Sequence, residues 1–445
     1  MLYLFAQFNN NLTLLINNLY FKMLTVKYIK DNKDRIIKSL GKRNFSDFDI
    51  LDQIIQNDER RKTLQKELDT HLAEANLIAS EIKMLYKTGK GAEAVEKKER
   101  GSELKSINAA FKQELSEVKV KLQELLLQVP NCANDIVPPG KSDADNIVHK
   151  SWSGSLPQLR EKLPHWELAK KFNLIDFELG AKITGAGFPV YIGQGARLQR
   201  ALVSFFLDQA AEAGYKEYQV PHVVNESSAM GTGQLPDKEG QMYYIPKDDL
   251  YLIPTAEVPL TNVFRDVIIK EKDFPIKMTG YTPCFRREAG SYGAHVRGLN
   301  RLHQFEKVEI VQIQHPEKSY STLQEMCDHV EGLLQKLDLP YQILLLCGGD
   351  IGFTSALTFD FETYSAAQER WLEVSSVSNF ETFQSNRLKL RYKDSNGKNH
   401  LAHTLNGSAL ALPRIVATIL ENNQTDEGIK IPKVLHQYTG FDMIK

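Results

Sequence analysis

The chain has 445 residues, of which 42% are hydrophobic and 25% charged, with a formal net charge of −1. That size and balance suit a soluble protein of two or three domains and exclude a disordered or low-complexity chain. They also leave no global basic field, so nucleic acid could be held only by a local patch, while four cysteines (Cys132, Cys284, Cys327, Cys347) with no CxxC pair argue against a zinc ribbon or a disulfide framework and for a reducing cytoplasm.

The first 22 residues are apolar but interrupted by Asn9, Asn10, Asn11, Asn17 and Asn18. They have no basic n-region or small-residue cleavage site, and the unbroken apolar stretch is shorter than the ~20 residues a membrane span requires. We expect residues 1–22 to be an N-terminal extension or a mis-assigned start, with Met23 opening a second plausible N-terminus, MLTVKYIKDN. No membrane association is expected.

Residues 23–128 read as a helical arm. After a short lead-in, a heptad-like series runs through Leu51, Ile54, Asp58, Arg61, Gln65, Leu68, Leu72, Ala75, Ala79, Ile82 and Tyr86. Thr88-Gly89-Lys90-Gly91 breaks it, and Leu104, Ile107, Phe111, Leu115, Val118, Leu122 and Leu125 continue at spacings of three and four. Two long helices around a glycine break predict an antiparallel hairpin. Residues 51–127 are neutral, with 14 basic and 14 acidic side chains, but residues 83–105 around the turn carry seven basic against four acidic. A polyanion could be met there; a solvated helix end explains the excess equally well.

Residues 129–146, VPNCANDIVPPGKSDADN, read as a linker. Beyond them, over 147–445, short β-branched runs (FPVYIG, YLIPT, VEIVQI, YQILLLC, WLEVSSV) alternate with helical runs at 196–213, 319–337 and 410–421. This texture predicts an α+β domain with an antiparallel sheet flanked by helices.

Five segments of this domain carry chemistry. The first, CFRREAGSYGAHVRGLNRLHQFEKVEI, sets Arg286, Arg287 and Glu288 on a strand, with Arg286 and Glu288 alternating to one face, before a Gly/His/Arg-rich loop and then a second strand holding His303, Phe305, Glu306 and Glu309. Guanidinium forks pair with phosphate oxygens, an aromatic face stacks a purine and carboxylates take an amine. An ion-pair ladder between the two strands is the plainer explanation of these charges taken alone. Thr255-Ala256-Glu257 follows LYLIP and reads both as a helix start and as a small-ligand site. Glu373-Val374-Ser375-Ser376 reads as a strand end whose carboxylate and hydroxyls suit Mg²⁺ together with triphosphate oxygens. His403 to Ser408 reads as a loop before an apolar helix that projects Arg414. No GxSxG and no Walker A loop occurs, so a serine nucleophile or a P-loop has no support.

Taken together with VNESSAMGTGQLP, DDLYLIPTAEVPLTN, EVSSVSNFETFQ and HTLNGSALAL, these segments resemble the bacterial seryl-tRNA synthetases, of class II, from about Met23 to the C-terminus. The resemblance implies an arm that grips the long variable region of tRNA(Ser), and of tRNA(Sec), and a cytoplasmic homodimer to which Pro221 contributes. It implies that Arg286 binds the α-phosphate and the serine carboxylate, Glu288 the adenine amino group and Arg414 the γ-phosphate, with Phe305 stacked on the base. Arg287, Leu302, Val374 and Ser375 complete the ATP site; Thr255, Ala256, Glu257, Glu309 and Ser408 hold L-serine; Glu373 and Ser376 hold Mg²⁺; no structural zinc is expected. The implied reaction has two steps, formation of seryl-adenylate and transfer to tRNA, with no protein nucleophile. Two residues depart from the pattern, Ala409 and Pro413, where the family often has glycine. Pro413 is tolerable at a helix start and would kink a helix interior, re-aiming Arg414. A paralogue that charges a carrier protein would lack the arm, a degenerate RNA-binding relative would have lost these side chains, and a purely structural coiled coil accounts for the first third alone.

Overall fold

The computed structural model describes residues 24–159, 162–288 and 296–445. The N-terminal extension, and Ala289–His295 of the Gly/His/Arg-rich loop, lie outside the described residues. The chain divides into two compact units: one of 24–41 and 45–130, the other including 42–44 and 131–445.

The smaller unit is the arm. Helix α1 (Asp49–Lys87, 39 residues) and helix α2 (Gly91–Gln128, 38 residues) pack along each other, each about 58 Å long at ~1.5 Å per residue. Gly89 makes the turn between them at φ +77°, a conformation glycine adopts at no steric cost. Leu64, Leu68 and Leu115 form the buried centre, with Leu72, Phe111 and Val118 against it. The seam departs from the heptad in places. Ile78 is buried where Ala79 is exposed, Asn108 is buried beside Ile107, and Tyr86 is exposed. The bulkier Ile78 takes the inward position because it removes more apolar surface from water. Arg60–Glu114 (2.6 Å), Arg100–Glu74 (2.8 Å) and Lys97–Glu81 bridge the helices, so part of the basic excess near the turn is already paired.

The larger unit is built on an eight-stranded sheet. Its strands, in chain order, are β1 (Ile147–Ser151), β2 (Lys216–Glu217), β3 (Ile276–Phe285), β4 (Gln304–Gln314), β5 (Tyr341–Leu345), β6 (Leu357–Ser365), β7 (Arg370–Asn379) and β8 (His403–Ala411). They lie in the order β1-β5-β6-β7-β8-β4-β3-β2 and pair antiparallel except for β2 with β3. Helices α3 (Gly193–Glu212), α4 (Ser319–Lys336) and α5 (Leu412–Asn422) accompany it. One face of the sheet, carrying Val308, Ile310, Val377 and Leu405, belongs to the same core as Leu198 and Leu202 of α3, Met326 and Val330 of α4, and Ile415 and Ile419 of α5. Because side chains alternate across a strand, the residues between these point to the other face, where the candidate site lies.

Three expectations are corrected. His403–Ser408 is not a loop but most of β8, and α5 begins at Leu412 rather than 410. Glu373–Ser376 sits in the middle of β7, not at its end. Arg286–Glu288 does not continue the strand, since β3 stops at Phe285 and Glu288 has φ +49°. The bonding that a continued ladder would supply is replaced there by Arg286 N–H to the His303 carbonyl (2.9 Å) and Arg287 N–H to the Gln241 carbonyl (2.9 Å).

Candidate active site

Strand β4 supplies the axis of the site. Phe305, Lys307 and Glu309 are two residues apart and share one face. Glu306 has the opposite parity and interacts with Tyr281 across the strand pair; burial, ahead of every other cause, raises its carboxyl pKa. The ion-pair ladder does not form: Glu288 pairs with Arg301, Glu309 with Lys307 (2.5 Å), and the Arg286 guanidinium lies 5.3 Å over the Phe305 ring.

Glu309 is fully buried and fully bonded. Its Oε2 accepts from Thr255 Oγ1 (3.0 Å) and pairs with Lys307, and its Oε1 accepts from Asn406 Nδ2 (2.9 Å). Ser408 stands directly opposite Glu309 on β8. The second carboxylate, Glu257, comes from a short helix, Glu257–Asn262, whose first free amide is bonded by Thr255 Oγ1 (3.2 Å). Its oxygens accept from Gln384 Nε2 (2.6 Å) and from Asn406 Nδ2 (3.0 Å). Asn406 thus bridges the two carboxylates. Glu309 has a cation of its own and Glu257 has none at contact distance among the bonds described. Burial, then the charge on Glu309, pushes the Glu257 carboxyl up to about 7.

A β-bulge shapes the far side. Asp360 pairs with Ser376, Phe361 with Ser375 and Glu362 with Glu373, leaving Val374 as the extra residue of β7. Three residues apart, Glu373 and Ser376 would point to opposite faces of a regular strand; the bulge brings both to the face of Asp360 and Glu362. Burial, then the Glu373 charge, raises Asp360 well above the usual carboxylate range, and Asp360 Oδ1 is buried with no hydrogen-bond partner. Val374 and Ser375 face the core, where Ser375 Oγ donates to the Ser408 carbonyl (2.6 Å). Leu302 is buried too, in the cluster that underlies the sheet.

Arg414 sits in the first turn of α5 with Pro413 just ahead of it, where no amide donor is lost to the helix and no kink follows. Its Nη1 donates to the Glu373 carbonyl (2.7 Å) and its Nε to the Asn300 carbonyl (3.0 Å). One end of the sheet face thus carries arginine and an aromatic ring, its middle two buried carboxylates, and its other side exposed Glu373 with Ser376.

Comparison with known proteins decides what this arrangement is. Residues 243–423 match the class II tRNA synthetase core domain (G, H, P, S and T), and residues 23–133 match the seryl-tRNA synthetase N-terminal domain. The chain is 48% identical over 425 residues to the serine–tRNA ligase of Salinibacter ruber, covering 95% of this chain and 99% of that protein. It is 45% identical to that of Chloroherpeton thalassium, covering 95% and 100%. The chain belongs to the serine–tRNA ligase family. As such it is an ATP-dependent ligase of class II. The fold of this ligase also matches the solved seryl-tRNA synthetase of Pyrococcus horikoshii, a complex with ATP, with a TM-score of 0.86 and 32% identity over 95% of this chain and 99% of that one.

In this ligase, sequence reasoning passed over Asn406, Gln384 and Lys307. All three lie in motifs quoted for other residues, and the signal available was a polar residue in a strand or helix that buries its neighbours. Burial of Glu257 beside the Glu309 charge also sets a pH dependence. Unfolded, Glu257 titrates near 4.5; folded, near 7. A carboxyl raised on folding holds its proton more tightly in the native state, so the associated stability is complete below about 4.5 and is lost as pH rises through about 7. Glu309, Lys307 and Arg286 are the charged groups that act on it, with Gln384 and Asn406 bonded to it. Without serine, the melting temperature should fall between about pH 4.5 and about pH 7, and Glu257→Gln should flatten that fall. Equal slopes in the two proteins would clear Glu257 of the effect.

Among the described residues no helix is long and apolar enough to cross a membrane.

Proposed function

We propose that the face bounded by Arg286, Glu309 and Arg414 activates L-serine with ATP and passes the seryl group to tRNA(Ser), and also to tRNA(Sec), in a cytoplasmic homodimer. The observation that carries the reading is the buried carboxylate pair bridged by Asn406. A pocket with one satisfied carboxylate (Glu309) and one lacking a cation (Glu257) suits a small ligand that brings an ammonium and a hydroxyl. Thr255, Ala256 and Ser408 line the approach. The serine hydroxyl then replaces solvent at groups that alanine would leave unpaired, which disfavours alanine by ~10⁴-fold.

Phe305 offers its ring to the adenine while Arg286, stacked on it, turns its fork to the α-phosphate and the serine carboxylate. Glu288 accepts from the adenine amino group beside Arg287, and Arg414 meets the γ-phosphate. Glu373 and Ser376 fit Mg²⁺, since both are oxygen donors on one face and the ion habitually takes its remaining ligands from phosphates and water; among the described residues no group of three or more His, Cys, Asp or Glu side chains is placed to hold a metal. When bound, that ion neutralises phosphate charge. The protein itself contributes alignment of the carboxylate with the α-phosphorus and charge stabilisation by two arginines.

The test is ATP–pyrophosphate exchange run with each of the twenty amino acids, on the full chain and on a variant in which residues 51–127 are replaced by a short linker. Serine alone should support exchange in both proteins, and only the full chain should charge tRNA(Ser). Exchange with another amino acid would overturn the serine reading. Charging by the armless protein would remove the arm as the tRNA reader.

A further inference from the structure

A buried polar chain that includes neither Glu257 nor Glu309 ends at Arg414. His165, the first residue of the helix His165–Lys171, is completely buried. Its Nε2 accepts the Leu299 N–H at 2.8 Å. A ring nitrogen that accepts carries no proton, so Nδ1 is the donor, to Glu421 Oε1 at 2.6 Å. Glu421, near the end of α5, is completely buried as well and accepts further bonds from the His165 N–H (2.9 Å), Gln368 Nε2 (2.9 Å) and Ser365 Oγ. Gln368 Oε1 in turn accepts from Asn300 Nδ2 at 2.9 Å.

These bonds converge on one turn. Gly298 has φ +68°, and a Cβ there would fall 2.2 Å from His165 Nε2; the turn is seated against the imidazole too closely for any side chain. Arg297 lies 4.8 Å over the Trp166 ring. The turn leads to the Asn300 carbonyl, which accepts from Arg414 Nε. A buried histidine–carboxylate pair is a costly way to fill a core, because apolar side chains of similar volume pack there without desolvating charge. What it supplies that apolar packing does not is a directed acceptor at a fixed point.

We propose that His165 and Glu421 are positioning residues for ATP: they clamp the Gly298–Asn300 turn so that the Asn300 carbonyl aims the Arg414 guanidinium at the nucleotide. This rests on the reading of Arg414 as an ATP ligand. Neither His165 nor Glu421 touches substrate; they act through the turn.

Pyrophosphate exchange kinetics on the full chain test it, with His165→Phe, His165→Gln, Gly298→Ala, Arg414→Ala and the double variant His165→Phe/Arg414→Ala. His165→Phe keeps the ring but leaves the Leu299 amide unbonded, and should raise KM for ATP about tenfold with KM for serine unchanged. His165→Gln, which can both accept and donate, should restore most of that loss. Gly298→Ala should raise KM for ATP by displacing the turn from the other side, and it carries the test if His165→Phe does not fold. The double variant should be no worse for ATP than Arg414→Ala alone, since both changes disable one path. Unchanged KM for ATP in folded His165→Phe and Gly298→Ala, additive effects in the double variant, or parallel loss for serine and ATP would each overturn the clamp. If Arg414→Ala leaves KM for ATP unchanged, the assignment of Arg414 falls and the clamp with it; if Arg414→Ala raises it and the other variants do not, the clamp alone falls.

Discussion

Arg286→Ala should leave the protein folded and lower serine-dependent ATP–pyrophosphate exchange by about 10³-fold. Its structural role is small. The backbone is held by the bond from its own N–H to the His303 carbonyl, which alanine keeps. The side chain gives one long bond, Nε to the Pro254 carbonyl at 3.4 Å, and its stacking on Phe305. A half-exposed cation–π contact contributes roughly 0.5–1 kcal/mol, so the melting temperature should change little. The proposed chemical role is large, because a planar fork over the Phe305 ring would be the group that meets charge developing on the α-phosphate. Arg286→Lys should recover only part of the activity, since a point charge cannot bond two oxygens in a plane. Exchange by Arg286→Ala within tenfold of the unaltered protein would show that another cation carries this charge.

Glu309→Ala should fail twice over. Lys307 is 5% exposed and pairs with Glu309 at 2.5 Å, so truncation strands a buried ammonium and removes the acceptor of Thr255 and Asn406. Breaking a buried pair from one side costs about 3–5 kcal/mol, and exchange with serine should vanish. Glu309→Gln separates stability from recognition. It preserves volume and can still accept from Thr255 or Lys307, so it should stay folded at 25 °C while kcat/KM for serine drops about 10²-fold or more. Robust exchange in Glu309→Ala, with KM for serine unaltered, would take Glu309 out of the pocket.

What could be read in the chain was whatever is local. Glu309, Phe305 and Arg286 lie within a span of 24 residues, and the alternation of β4 places Phe305 and Glu309 together. The arm was legible for the same reason: periodicity and a glycine break are short-range signals. The partners that satisfy the site were not. Asn406 is 149 residues from Glu257 and 97 from Glu309, and His165 is 256 from Glu421; strand pairing brings Asn406 to Glu309, and packing of the helix His165–Lys171 on α5 brings His165 to Glu421. The strand character of His403–Ser408 was hidden because Asn406, Gly407 and Ser408 are turn-forming residues by composition. They are held extended here by β7 on one side and β4 on the other. Pro413 presented two outcomes by sequence alone, and its place in the first turn of α5 selects the harmless one.

The extra residue in β7 makes that strand tolerant of a one-residue change in length. Val374 contributes to the core, and isoleucine or leucine could replace it there at modest cost. Removing the position altogether would leave Glu373 and Ser376 two residues apart, so that a straightened strand would still carry both to the face of Asp360 and Glu362, against the same partners on β6. Relatives that share this site should therefore vary at this point both in the side chain and in whether the residue is present. A gap of one residue here would signal a strand that lost its bulge and kept both oxygen donors on one face.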